Sequence, residues 1–318
     1  MLTIFETPDD PYSKDRADAI AILAEATPTR TPEHVYHYTD INGLEGILSQ
    51  RTLWATDVAY MNDASEYEYT KGLVEEVLTT PGRRLAMADL IGRTANELGA
   101  SVYASCFCET GDLLSQWRAY SGQGTGYAIE FNLKQLIEAL GHIEPRIQAW
   151  VTVGKVEYDE MRQRGILKHI AERHLASTEP TQAEFHRAAT TPVPQTQQKE
   201  KEQRVSKLMM ELTSRSRVTM WAMLAIRPFL KSPAFSEERE WRIATMCPAQ
   251  GESFRKSSGL FAPYRELPLG NADNLPITRV IIGPSRHPTQ ARASLERFLQ
   301  NHNLNQIQVD ASPIPLRL

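Results

Sequence analysis

The 318-residue chain sets 35 Lys and Arg against 39 Asp and Glu, a formal charge of −4 with a pI of about 6.1. Apolar residues at 41% and charged residues at 23% are ordinary globular values and exclude a disordered, collagenous or coiled-coil polymer. The near balance of charge excludes a protein that coats nucleic acid over its whole surface and leaves only a local basic face for such contact.

A chain of this mass buries about three quarters of its extended surface on folding, so it needs no metal or disulfide staple. The three cysteines, Cys106, Cys108 and Cys247, are an odd and sparse set that points to a reducing compartment. The start has no basic segment followed by an apolar one, and no window approaches eighteen apolar residues. The expectation is a cytoplasmic protein with no membrane span.

In chain order, residues 16–26 place Ile20, Leu23 and Ala24 on one stripe, predicting a leading helix within an N-terminal arm over residues 1–30. The β-prone His34-Val35-Tyr36-His37-Tyr38-Thr39 then runs into Ile41, Leu44, Ile47 and Leu48 at helical spacing, predicting strand, turn and helix. Leu53-Trp54-Ala55-Thr56 reads as a short strand, followed by a polar loop with Asn62 and Asp63 as helix caps and a helix carrying Tyr69, Leu73 and Val77. A further helix is expected around 86–98, then strands at 101–108, 126–132 and 151–158. Trp117-Arg118-Ala119-Tyr120 and the glycine-rich stretch 121–126 lie between the first two.

From about 159 to 227 the chain becomes long, charged and helical, broken at Thr190-Thr191-Pro192-Val193-Pro194, which predicts an inserted helical lobe. Strand character returns at 238–245, 279–283 and 307–309, with a helix over 289–299. Strands at both ends with a helical middle predict an α+β fold. The glycine cluster Gly122-Gln123-Gly124-Thr125-Gly126 precedes a strand and has the wrong spacing for a dinucleotide-binding turn.

The richest stretch chemically is Glu237-Glu238-Arg239-Glu240-Trp241-Arg242-Ile243. On a strand, Glu238, Glu240 and Arg242 share one face, with the carboxylates roughly 7 Å apart, while Trp241 and Ile243 turn to the core. Beside an arginine, one carboxylate stays ionised while the proton affinity of the other is tuned; a solvated edge strand is the plainer account. His37 with its neighbouring tyrosines suits a nucleotide site or is a satisfied core histidine. Trp117 and Tyr120, three residues apart, wall a cleft or anchor a core. His34, His37, Cys106 and Cys108 have poor spacing for zinc, so no metal is expected. The mixed charges of 199–217 read as a solvated face or as a surface for RNA, DNA or an acidic protein.

Taken together, Tyr36-His37-Tyr38-Thr39, Leu53-Trp54, Asn62-Asp63, Ser105-Cys106-Phe107, Trp117-x-x-Tyr120, Gly124-Thr125-Gly126-Tyr127 and Glu238-x-Glu240-Trp241-Arg242 resemble a prokaryotic family known only as a domain of unknown function. The likeness runs from about Glu33 to Leu318, and that family in turn looks like a distant branch of the ADP-ribosyltransferase fold. The resemblance implies a split, bent, mostly antiparallel sheet over residues 31–318, with flanking helices and the inserted lobe, holding NAD as substrate in a cleft. It implies Glu240 as catalytic glutamate and Glu238 as the residue that polarises an acceptor. His37, Tyr38 and Thr39 would contact the ribose and nicotinamide side. Ser105 would hold the middle-strand position, with Trp54, Asn62, Asp63, Trp117, Tyr120 and Arg242 around the pocket. His37 stands where related transferases carry Arg, which leaves Arg242 or Arg118 to meet the phosphates.

The expected function is NAD cleavage with transfer of ADP-ribose to RNA, DNA or protein, in a bacterial toxin or phage-defence setting with an antitoxin or regulatory partner. A non-catalytic nucleotide or nucleic-acid binding module, and an NAD glycohydrolase or other hydrolase built on the carboxylate pair, are the alternatives. Glu240 is expected to be an exposed cleft residue.

Overall fold

The computed structural model describes residues 3–5, 13–27, 31–61, 64–77, 100–120, 126–141, 150–248, 251–257 and 259–315. The helix expected around 86–98, the residues Asn62 and Asp63, and stretch 121–125 lie outside them.

The strands are β1 (Thr3–Phe5), β2 (His34–Thr39), β3 (Thr52–Asp57), β4 (Ala100–Cys108), β5 (Tyr127–Asn132), β6 (Trp150–Lys155), β7 (Glu240–Pro248), β8 (Ser253–Ser257), β9 (Leu260–Pro268), β10 (Ile277–Ile282) and β11 (Gln308–Ala311). The helices are α1 (Ser13–Ala26), α2 (Ile41–Gln50), α3 (Ala64–Val77), α4 (Leu114–Tyr120), α5 (Leu133–Gly141), α6 (Glu160–Thr190), α7 (Gln198–Ile226) and α8 (Pro288–Asn301). The class is α+β. Among the described residues, every strand pair is antiparallel except β10 with β11.

The main strand order is β1-β6-β7-β4-β2-β5-β10-β11, with β3 branching from β4 and leading to β9 and β8. The β4–β7 ladder runs unbroken from Ala100–Pro248 to Cys108–Glu240. By contrast β2 and β4 meet at the single register pair Tyr36–Cys108. The sheet is therefore continuous but nearly parted at this seam, one half carrying β7 and the other β5.

Side-chain alternation decides the layering. Trp241, Ile243 and Cys247 of β7 join Tyr103, Phe107, Ile129 and Phe131 in the main core, closed by Leu44, Ile47 and Leu48 of α2, Leu133, Leu136 and Leu140 of α5, and Leu295 and Leu299 of α8. On the other face of β7, Ala244 and Met246 meet the α6–α7 hairpin, Leu73 of α3, and Ala19 and Leu23 of α1. The leading helix thus packs into the helical layer. Asp40 caps α2 through Gly43 N–H at 2.8 Å, and Asp159 caps α6 through Arg162 N–H at 2.8 Å, each removing an orphan donor at a helix start.

The β8–β9 hairpin has no counterpart among the expected elements. Its segment Ser253-Phe254-Arg255-Lys256-Ser257 lacks apolar alternation, and Pro263 stands inside β9; both mute a strand signal.

Trp241 is 1% exposed and donates its indole N–H to Glu109 at 3.0 Å. Trp241→Ala is expected to destabilise the fold by about 3–5 kcal/mol through lost burial and an unfilled cavity, read as a lowered urea midpoint with an unchanged slope.

Candidate active site: a buried charge cluster behind a cleft

The stretch 236–242 is only partly a strand. A 3-10 turn, Pro233–Glu238, ends at Arg239 in the left-handed conformation (φ 44°), and β7 starts at Glu240. The expectation that Glu238 and Glu240 stand two residues apart on a strand face is corrected here. The turn swings Glu238 back so that both carboxylates reach one lysine: Lys231 Nζ lies 2.6 Å from Glu238 Oε2 and 3.3 Å from Glu240 Oε2. The solvated edge strand is also excluded, because β7 lies between β4 and β6 under the helical layer.

The cluster is closed by Arg242 and Glu66. Arg242 Nη2 lies 2.8 Å from Glu240 Oε2 and 2.7 Å from Glu66 Oε1, while its Nη1 donates to the Pro228 carbonyl at 2.7 Å. Glu66 of α3 also reaches Lys231 at 3.2 Å. Gln163 of α6 fixes the lysine's backbone. Its side-chain amide donates to the Lys231 carbonyl at 2.7 Å and the Glu157 carbonyl at 2.6 Å, and its oxygen accepts from Tyr69 Oη at 2.6 Å. Tyr158 Oη accepts the Glu240 backbone N–H at 3.1 Å, and the Cys106 thiol hydrogen-bonds the Glu240 carboxylate.

These surroundings push the two carboxylates in opposite directions. Burial opposes the charge of Glu240, but Arg242 and Lys231 outweigh it and hold its pKa below the ordinary carboxylate value. For Glu238 burial wins over Lys231, and the nearby Glu240 charge adds to the rise. Buried pairs of this kind, one acid kept ionised and one made easier to protonate, are the usual basis of acid and base roles.

A cleft of about 590 Å³ opens beside Glu238, lined by Cys108, Thr110, Leu113, Ser236, Glu237 and Arg239 as well. It sits at the seam, where Cys108 makes the one register pair with β2. Its wall from Glu109 to Leu113 is tied down from β2. Tyr38 Oη donates to the Thr110 carbonyl at 2.8 Å and accepts the Leu113 N–H at 3.0 Å. Gly111 packs so closely on Tyr36 that a Cβ would fall 2.3 Å from the ring. Tyr36 in turn donates to Glu130 at 2.7 Å, which also accepts from Thr278 at 2.7 Å and Arg279 at 2.8 Å.

Of the residues singled out from the sequence, Glu238, Glu240, Arg242 and Tyr120 come together; the Tyr120 hydroxyl feels Cys106, Glu238 and Glu240 and is pushed up chiefly by burial. Glu240 is 4% exposed and does not face an open cleft, which corrects that expectation. Trp117 is a core anchor rather than a pocket wall, its ring edge-on to Tyr38 at 4.7 Å and its indole bonded to Asp112 at 2.8 Å. Tyr38 is buried beside it and acts on the cleft through its hydroxyl.

Ser105, His37 and Thr39 leave the group. Ser105 pairs with Ile243 on the core face of β4 and donates to the Trp54 carbonyl at 2.8 Å. His37 turns to Phe107 on that same face, and its Nδ1 bonds the Cys106 carbonyl across the seam at 2.8 Å; burial lowers its pKa, so the ring stays neutral. Thr39 lies against Gly43 at the start of α2. Trp54 stacks on Tyr264, ring centroids 4.3 Å apart, on β9. The reason is common to Ser105, His37 and Thr39: strand alternation puts odd positions of β2 and β4 on the side opposite Cys106, Cys108 and Glu240.

Lys231, Glu66 and Gln163 are the cluster members that sequence reasoning missed. Their signals were single charged or amide residues in helical or turn context, with nothing local to mark them as buried. Among the described residues no group of three or more His, Cys, Asp or Glu side chains is placed to hold a metal ion, and no helix is long and apolar enough to cross a membrane.

Glu240→Gln is expected to cost about 3–5 kcal/mol, because it leaves two buried cations short of a counter-charge, whereas Glu238→Gln at the partly open lip is expected to stay within about 1 kcal/mol. The Glu240 contribution is present above the ordinary carboxyl value of 4.5 and is lost as pH falls through its lower folded value. Urea melts at neutral and at acidic pH check both points: the gap between wild type and Glu240→Gln narrows in acid.

The comparisons with known proteins bear on this same region. A domain described as a protein of unknown function (DUF2971) is found at residues 116–243, which takes in Trp117, Tyr120, the helical hairpin, Lys231, Glu238, Glu240 and Arg242. No curated protein and no solved structure matches the chain.

Proposed function

We propose that the chain is an ADP-ribosyltransferase-like enzyme that cleaves the nicotinamide–ribose bond of NAD and passes ADP-ribose to a nucleic-acid or protein acceptor at the cleft beside Glu238. The observation that carries this reading is a pair of carboxylates, Glu238 and Glu240, sharing Lys231 and driven apart in proton affinity at the edge of a ligand-sized cleft. The near-parted sheet at β2 and β4 agrees with the split sheet that the resemblance implies.

The chemistry follows from charge. As nicotinamide leaves, positive charge grows on the ribose, and a carboxylate in the cleft stabilises it electrostatically. Of the two cleft carboxylates, Glu237 and Glu238, it is Glu238 that shares Lys231 with Glu240, and its raised proton affinity suits it to take the proton of an attacking acceptor hydroxyl or amine. Glu240 does not touch the substrate in this reading; it fixes Lys231 and through it Glu238, as a positioning residue. Water in place of the acceptor makes the same site an NAD glycohydrolase.

One observation favours a second reading, a nucleotide or nucleic-acid binding module without turnover: Glu240 is buried and neutralised by two cations, and Ser105 and His37 face away. Nicotinamide release from NAD by the purified protein, with nucleic acid or protein added as acceptor, separates the two. The expected result is release by wild type and its loss in Glu238→Gln, with the thermal midpoint of the variant little changed. NAD binding without release would place the binding module ahead.

A further inference from the structure

The cleft carries charges of both signs on three consecutive residues, Glu237, Glu238 and Arg239. The cations first considered for phosphate are committed elsewhere or stand apart from it. Arg242 is 2% exposed and held by Glu240, Glu66 and the Pro228 carbonyl. Lys231 is shared among three carboxylates, and Lys155 is tied to Glu109 at 2.6 Å. Arg118 is exposed on α4 and does not line the cleft. Arg239 is exposed, lines the cleft and makes no ion pair within 4 Å among the described residues, although its charge helps to hold the Glu109 carboxyl low.

Its backbone is unusual as well. Arg239 holds φ at 44°, a left-handed conformation that glycine or asparagine adopts more easily. That turn sends the flanking Glu238 and Glu240 to Lys231 while Arg239 stands at the cleft. Arg51, the C-cap of α2, holds the same conformation at φ 56°, so it is the place of the Arg239 side chain at the cleft, rather than its dihedral, that bears on function.

We infer that Arg239 is the anion-recognition residue of this cleft and takes the diphosphate of a dinucleotide whose cationic ring lies toward Glu238. The inference rests on the NAD-cleaving reading above and names the group that reads the ligand's phosphates. A purely anionic ligand would meet Glu237 and Glu238, and a purely cationic one would meet Arg239; a ligand with a cationic ring at one end and a diphosphate beyond it satisfies both. The guanidinium fork matches phosphate oxygens two at a time, which a lysine at the same place does not.

The test is calorimetric titration of wild type, Arg239→Gly and Arg239→Lys with ADP, NAD and nicotinamide riboside, alongside nicotinamide release and thermal melts. Arg239→Gly is expected to weaken ADP and NAD about tenfold or more, the loss of charged hydrogen bonds, and to leave nicotinamide riboside unchanged. It melts at the same or a higher temperature, because glycine relieves the left-handed residue. Arg239→Lys recovers part of the affinity. ADP binding indifferent to Arg239→Gly overturns the inference, and if wild type still releases nicotinamide, the NAD-cleaving reading survives it. ADP binding lost in Arg239→Gly without nicotinamide release by wild type supports the inference and removes the transferase reading. Wild type that binds neither ADP nor NAD overturns both.

Discussion

Two cations, Lys231 and Arg242, are buried between the sheet and the helical layer, and a buried charge is tolerable only when its counter-charges are held in place. Three carboxylates do this, and they come from α3, the 3-10 turn before β7, and β7 itself. The demand shapes the surrounding chain. It sets the left-handed turn at Arg239 against its backbone cost, docks α3 on the site through Glu66, and makes Gln163 hold the Lys231 backbone from α6.

The second constraint is the seam between β2 and β4. With a single register pair joining these strands, the two halves of the sheet are held by side chains: His37 on the Cys106 carbonyl, Tyr38 on the 110–113 wall, and the Tyr36 ring against Gly111. The cleft exists because the ladder fails there and the tyrosines hold its wall in position. Among the described residues of the charge cluster, Glu238 alone lines it, while Glu240 is buried, so the carboxylate at the cleft and the one behind it are set by depth rather than by their order in the chain. This arrangement puts Glu238 at the cleft and Glu240 behind it.

Much of the element order was legible. The run 34–39 with its following helix, the strands at 101–108 and 126–132, the break at 190–194 and the returning strands are short-range patterns of apolar spacing and proline. Trp241 and Ile243 were legible as core for the same reason. The β8–β9 hairpin was not, since its polar, proline-bearing strands are held by pairing with β3 and not by their own pattern. Ser105 and His37 misled because their spacing is compatible with either face of a strand that is buried on both sides.

The class of fold, the extent of the helical hairpin and the face that each side chain of β7 takes follow from local residue patterns. Those properties depend on neighbours a few residues apart. Long-range packing covers the charged face of β7, draws Glu238 off the strand to share Lys231 with Glu240, and leaves Arg239 at the cleft. Each depends on where α3, α6 and the turn after α7 come to rest against the sheet, and the electrostatic cost that selects this arrangement arises only once water has been excluded.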